Sequence, residues 1–180
     1  MNKFGLRRIF VLLAVLIVGL TLSVNGQIRN THYRFTLESS DPMYRLEIRG
    51  SGAVTYTGEK YVKVQGIKKI ILSQTDRKKL KQELTRARVD KMRSTYAGPV
   101  CLGLSSEEPT LTLRITYGSR TYTIEHYLGC VQGRGRSESE LRRLRRLESC
   151  VYRLTDATRW IGTDAERERL FRPTSVREPR

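Results

Sequence analysis

Two histidines and three cysteines are the side chains of this 180-residue sequence best suited to nucleophilic or metal chemistry. His126 with Cys101 or Glu125 would supply a base beside a nucleophile or an acid, the minimum for a small hydrolase-like enzyme. A disulfide at Cys101 would abolish the thiol version, and a single histidine on the apolar side of a strand is more often a packed structural residue. The cysteines and histidines show neither C-x-x-C nor H-x-x-x-H spacing, so no metal set is expected. Glu107 and Glu108 are adjacent in a loop and read as a solvated face rather than a glycosidase pair. Gly129, Gly133 and Gly135, interleaved with Arg134 and Arg136, could hold an anion through backbone N–H groups and guanidinium forks. Without a Lys-Ser or Lys-Thr ending and a preceding buried parallel strand, they do not make a nucleotide loop. No catalytic set and no cofactor is expected.

Those residues have to be held by elements, and hydropathy alternation shows where the elements fall. Tyr33, Phe35 and Leu37 alternate with Arg34, Thr36 and Glu38 as a half-buried strand. Tyr44, Leu46 and Ile48 form one apolar face, and Val54 and Tyr56 return after Gly50-Ser51-Gly52. A three-residue loop sets Ile48 opposite Val54 and Leu46 opposite Tyr56, whereas a two-residue loop would break the pattern. The same arithmetic across Gly58-Glu59-Lys60 pairs Tyr56 with Val62 and Val54 with Val64, with Gly66 as a bulge or bend in the fourth strand. Ser73 or Thr75 then caps a helix over about 74–88, with Leu80, Leu84 and Ala87 on its apolar stripe and Lys78, Lys79 and Lys81 outside.

Residues 90–108 read as the longest loop. After it, Leu111, Leu113, Ile115 and Tyr117 face Tyr122, Ile124 and His126 across a Gly118-Ser119 turn, pairing Ile115 with Tyr122 and Leu113 with Ile124. Gly129 to Arg136 reads as a glycine and arginine loop, and Ser137 or Ser139 as the cap of a closing helix. That helix buries Leu141, Leu144, Leu147, Val151 and Leu154 and exposes Arg142, Arg143, Arg145 and Arg146. Trp160 is expected to fold back onto the core. The sum is an α+β domain in the order β-β-β-β-α-β-β-α: an antiparallel sheet of about six strands with two helices on one face and a Thr and Arg face toward water.

The first residues add a compartment. Lys3, Arg7 and Arg8 precede an apolar run from Ile9 to Leu22 and small residues at Val24 and Gly26, the pattern of a secretory leader cleaved after Gly26. The alternative is an uncleaved anchor over residues 9–24, although the run falls short of the roughly 20 residues of a full span. Residues 27–162 then make one domain, and 163–180, with Pro173 and Pro179 and little apolar content, read as a disordered basic tail. Export places the cysteines in an oxidising compartment, where Cys101 and Cys130 at one end of the hairpin are the first pairing expected and Cys130 with Cys150 the second. Otherwise Cys150 is a small buried hydrophobe in the closing helix.

The segment Pro42-Met43-Tyr44-Arg45-Leu46-Glu47-Ile48-Arg49-Gly50-Ser51-Gly52-Ala53-Val54-Thr55-Tyr56-Thr57-Gly58 resembles the signature hairpin of a family of small exported bacterial domains of unknown function. Pro109-Thr110-Leu111-Thr112-Leu113, Tyr127-Leu128-Gly129-Cys130 and Arg159-Trp160-Ile161-Gly162 extend the resemblance over about residues 31–162. Relatives carry cysteines just before the proline corresponding to Pro42, where this chain has Asp41, so no redox or disulfide role is carried over there. The resemblance implies compartment and fold class and brings no activity with it.

Formal net charge is +16, from 34 basic and 18 acidic residues, and the leader holds only three of the basic ones. A surplus of this size favours anionic partners, or else marks a solvated surface. Outside the cytoplasm nucleic acid is scarce, so an anionic envelope component or an acidic protein is the expected partner and nucleic acid is not. Membrane association is expected by surface contact or through the uncleaved anchor. The residues expected to touch the partner are Arg134, Arg136, Arg142, Arg143, Arg145, Arg146, Lys78, Lys79 and Lys81.

Overall fold

The computed structural model describes residues 33–171; the expected leader, its expected cleavage after Gly26 and the alternative anchor over 9–24 lie outside them. The chain forms β1 (Tyr33–Ser40), β2 (Met43–Arg49), β3 (Ala53–Lys60) and β4 (Gly66–Ile71), then helix α1 (Gln74–Ala87). Next come β5 (Thr95–Tyr96), β6 (Cys101–Leu104), β7 (Thr110–Tyr117), β8 (Arg120–Tyr127) and β9 (Cys130–Gly133). Helices α2 (Arg136–Thr155), α3 (Thr158–Ile161) and α4 (Asp164–Phe171) close it. Among the described residues no helix is long and apolar enough to cross a membrane.

The α+β class is as expected, but the sheet is larger and mixed. Seven strands run in the order β4-β3-β2-β1-β7-β8-β5, and β6 and β9 make a separate two-stranded sheet. The six long strands are antiparallel; β5 joins β8 in parallel, setting Tyr96 beside His126. Two to four residues carry no readable alternation, which is why β5 and β6 were hidden in the expected 90–108 loop and β9 in the expected Gly129 to Arg136 loop.

The β2–β3 hairpin has the expected register, Leu46 with Tyr56 and Ile48 with Val54, and Gly52 takes the positive φ of +91° that its three-residue loop needs. The β7–β8 hairpin likewise pairs Leu113 with Ile124 and Ile115 with Tyr122. The β3–β4 register is not the expected one: Val54 faces Ile70 and Gly58 faces Gly66. The segment 62–64 leaves the ladder because another stretch of chain pairs with it: Lys63 N donates to Ile161 O at 2.9 Å and Val64 N to Trp160 O at 2.8 Å. Gly66 begins β4 rather than interrupting it. At the outer end of the sheet, β4 leaves Ile67 and Ile71 exposed.

One face of the large sheet is apolar and fully covered. Phe35, Leu37, Leu46, Ile48, Tyr56, Leu113, Ile115 and Ile124 join Leu80 and Leu84 of α1 and Leu141, Leu144, Leu147 and Val151 of α2 in a single core. Trp160 folds onto that core, its ring centroid 5.2 Å from that of Tyr56, and Cys150 is buried with a free thiol. The opposite face carries Thr and Arg side chains, with Glu47 drawing Arg49 at 2.9 Å and Arg34 at 3.6 Å.

Helix ends follow their caps. Ser73 accepts from Asp76 N at 3.1 Å and opens α1. For α2 neither Ser137 nor Ser139 is the cap; Gly135, with φ +57°, precedes the first turn without a side-chain cap bond. Part of the expected tail is helical, because Thr163 and Glu166 cap α4 reciprocally: Thr163 N donates to Glu166 Oε2 at 2.9 Å and Glu166 N to Thr163 Oγ1 at 3.2 Å. Lys63 ties that cap to the β3–β4 connection, 2.6 Å from Glu166, and holds the Glu166 carboxyl down at about 2. Residues 172–180 of that tail lie outside the described residues.

Candidate functional site

Three polar constructions are built on α2 and the strands beneath it. The first is the small sheet. Cys101 and Cys130 are joined by a disulfide, with Cα atoms 5.4 Å apart. Arg145 Nη1 donates to Val131 O at 2.7 Å, and its other terminal nitrogen donates to Cys130 O. Glu138 Oε2 accepts from Gly133 N at 2.8 Å. Residue 133 has to be glycine for this approach, since a Cβ there would stand 2.6 Å from Glu138 N. Small sheet and helix are thus locked backbone to side chain.

The second construction is a pair of strand-to-helix ties. Tyr96 donates its hydroxyl to Glu140 Oε2 at 2.9 Å, with Arg93 and Arg136 guanidiniums at 3.5 and 3.1 Å from the same carboxylate. Burial by itself would raise the Glu140 pKa, but the Tyr96 and Arg93 hydrogen bonds and the charges of Arg93 and Arg136 hold it below the usual carboxylate range. One strand over, His126 Nδ1 lies 2.9 Å from Glu148 Oε1 and 3.1 Å from Oε2. A carboxylate only accepts, so Nδ1 carries the proton. His126 Nε2 is buried with no partner among the described residues.

Beyond Glu148, the hydroxyls of Tyr44 and Tyr152 share a short hydrogen bond. Burial raises the Tyr44 pKa far above its ordinary value, with Tyr152 and the Glu148 charge adding to the effect. Burial likewise pushes Tyr152 up to about 12. Both phenols are therefore neutral donors at physiological pH. They line a cleft of about 960 Å³ together with Glu108, Arg153, Asp156 and Arg167. His126 and Glu148 do not reach it: their side chains are 1% and 5% exposed, sealed behind the phenols and the core.

The enzyme set weighed from sequence does not assemble. The Cys101 sulfur is in the disulfide and offers no thiolate. Glu125 is exposed and its strand neighbour His126 buried, on opposite faces of β8. Among the described residues no group of three or more His, Cys, Asp or Glu side chains is arranged to hold a metal.

The third construction is the basic surface, which separates into two kinds of residue. Arg143 Nε donates to Ala87 O at 3.1 Å, clipping α2 to the end of α1. Arg146 reaches Glu83 at 2.9 Å and Arg86 reaches the same carboxylate at 2.8 Å, a second link between the helices. Arg136 pairs with Glu140, Arg142 with Glu138 at 3.5 Å, and Lys79 with Asp76 at 3.4 Å. With Arg145, these six of the nine expected contact residues already have partners. Lys78, Lys81 and Arg134 are exposed, with no side-chain partner among the described residues.

Sequence reading missed Glu140 and Glu148. Their spacing held the signal: Glu140, Leu144 and Glu148 fall on one i, i+4 row at the margin of the apolar stripe, where an acid is drawn inward. Tyr96 and Arg93 carried no such local mark.

A family model described as a domain of unknown function (DUF6438) matches residues 40–148 of the chain. No curated protein matches it.

Proposed function

The chain belongs to the DUF6438 family, a domain of unknown function, and we propose that it is an extracytoplasmic, non-enzymatic binding domain that contacts an anionic envelope component or an acidic protein. The observation carrying this reading is the outward surface of the two helices. Lys78 and Lys81 on α1 are exposed and uncompensated among the described residues, Arg86 and Arg146 share the single carboxylate of Glu83, and Arg142, paired with Glu138, is 71% exposed. Arg134 continues this basic surface at the start of α2. Charge left unneutralised on one helix pair attracts anions over about a Debye length of 8 Å at physiological ionic strength.

The leader pattern and the Cys101–Cys130 disulfide support the compartment, since such bonds persist in oxidising surroundings. Arg143 and Arg145 belong to the scaffold rather than the contact surface, because their guanidiniums hold backbone carbonyls. The test is retention on heparin. Replacing Lys78, Lys81, Arg134 and Arg142 by Gln is expected to lower the salt needed for elution severalfold. Unchanged elution would reduce the basic helices to a solvated surface.

A further inference from the structure

Resting on that reading of an anion-binding extracytoplasmic domain, we propose that the partner is an anionic lipid surface and that the β6–β9 sheet is the part that enters it. Leu102, Leu104 and Val131 are each more than half exposed, at 52%, 54% and 61%. All three sit on two hydrogen-bonded strands that are not part of the large sheet. A small exported domain gains nothing from holding three branched aliphatics in water on one short pair of strands, and exposed apolar side chains brought together in this way suit a contact surface.

The cluster is held rigidly. The disulfide joins β6 to β9 at Cys101 and Cys130, Arg145 grips the β9 carbonyls, and Gly133 N is bound by Glu138. A pre-ordered tip loses little conformational freedom on entering the headgroup region. Charge complementarity selects the occupant. Arg134 leaves β9 with its side chain unpartnered among the described residues, and Arg142 stands one turn beyond Glu138 with its side chain 71% exposed. The carboxylates in the opening turns of α2 are already engaged, Glu138 by Gly133 N and Arg142 and Glu140 by Tyr96, Arg93 and Arg136; Glu107 and Glu108 are exposed in the loop after β6. Aliphatic side chains beside guanidiniums suit lipid chains beneath phosphate headgroups, where apolar burial and attraction to anionic lipid add. An acidic polymer would use the arginines and leave the leucines in water.

The experiment is vesicle co-sedimentation of the leader-free chain with phosphatidylglycerol-containing and pure phosphatidylcholine vesicles, alongside heparin retention. Association with the anionic vesicles alone is expected, weakened at least about tenfold when Leu102, Leu104 and Val131 are replaced by Ser. These residues are exposed, so the variant keeps its core. A second readout follows Val131→Trp, whose emission should shift to the blue with anionic vesicles and be quenched by brominated lipid. Vesicle association unchanged by the Ser replacements, or no blue shift, would overturn the tip as the lipid contact. Retention on heparin without vesicle association would overturn the lipid partner and leave the polyanion reading intact. Loss of both would overturn the two together.

Discussion

Glu140 and Glu148 lie two turns apart on α2, each about 95% buried, and each receives a side chain from a neighbouring strand of the same sheet. Their compensation differs in kind. Glu140 has a phenol and two permanently charged guanidiniums, one of which, on Arg136, is 78% exposed and keeps its hydration. Glu148 has one titratable imidazole, shut in with it, whose second nitrogen has no partner among the described residues. A buried carboxylate supported from the solvent side keeps its charge cheaply; one supported only from inside depends on a group that is itself under-satisfied. The Glu140 tie fastens β5 to α2, and the Glu148 tie leaves an unsatisfied imidazole nitrogen beneath β8.

Breaking the pair at its weaker member should give the larger effect. Glu148→Ala strips the His126 ring of its one side-chain hydrogen-bond partner among the described residues and opens a void, and about 3 kcal/mol of stability should disappear in urea denaturation. A loss under about 1 kcal/mol would mean the pair contributes little to stability. Glu140→Gln should cost less, about 1 kcal/mol, because the amide oxygen still accepts from Tyr96 and the freed guanidiniums rehydrate.

That second variant also has a pH signature. Ionised Glu140 has a folded pKa below its unfolded one, so its contribution is complete above the ordinary carboxylate range, near 4.5, and is lost as pH falls through the folded value. The stability gap between wild type and Glu140→Gln should therefore narrow as pH falls from about 5 through the ordinary carboxylate range and below it, in urea midpoints taken across that range. A constant gap would show that the carboxylate charge is not what stabilises. The mildest change is Arg146→Gln. Its guanidinium is 64% exposed and shares Glu83 with Arg86, so thermal melts should register less than about 1 kcal/mol.

What was legible in the sequence divides along the same line between local and distant partners. The β2–β3 and β7–β8 registers followed from alternation and loop length, because each strand's partner is its chain neighbour. The Ser73 cap and the α1 stripe were legible for the same reason. Val62 and Val64 misled, since their alternation serves a backbone pairing with Trp160 and Ile161 almost a hundred residues later. The strands β5, β6 and β9 are too short to carry a period and persist through Tyr96–Glu140, the disulfide and Arg145, all long-range ties. The α4 helix was legible after all: Thr163-Asp164-Ala165-Glu166 is a capping box, outweighed in the sequence reading by composition.

Among the candidate contact residues, sequence located the basic helices but not their allocation. Nothing local distinguishes Arg145, spent on the carbonyls of Cys130 and Val131, from Arg142, left mostly in water. The disulfide was one of the two pairings expected from the chain, and it removed the Cys101 thiol weighed as a partner for His126.

The outermost strand, β4, has a consequence for how the protein survives crowding. Its outer backbone edge has no partner among the described residues, and Ile67 and Ile71 flank it in water. A second copy pairing antiparallel about a two-fold axis near the strand's midpoint would set Lys68 against its own copy, or Lys69 against its own, ammonium facing ammonium across one ladder step. Like-charge pairs of this kind disfavour addition of a second strand at the edge, an effect that would fade wherever the lysines were acylated or the ionic strength rose high enough to screen them.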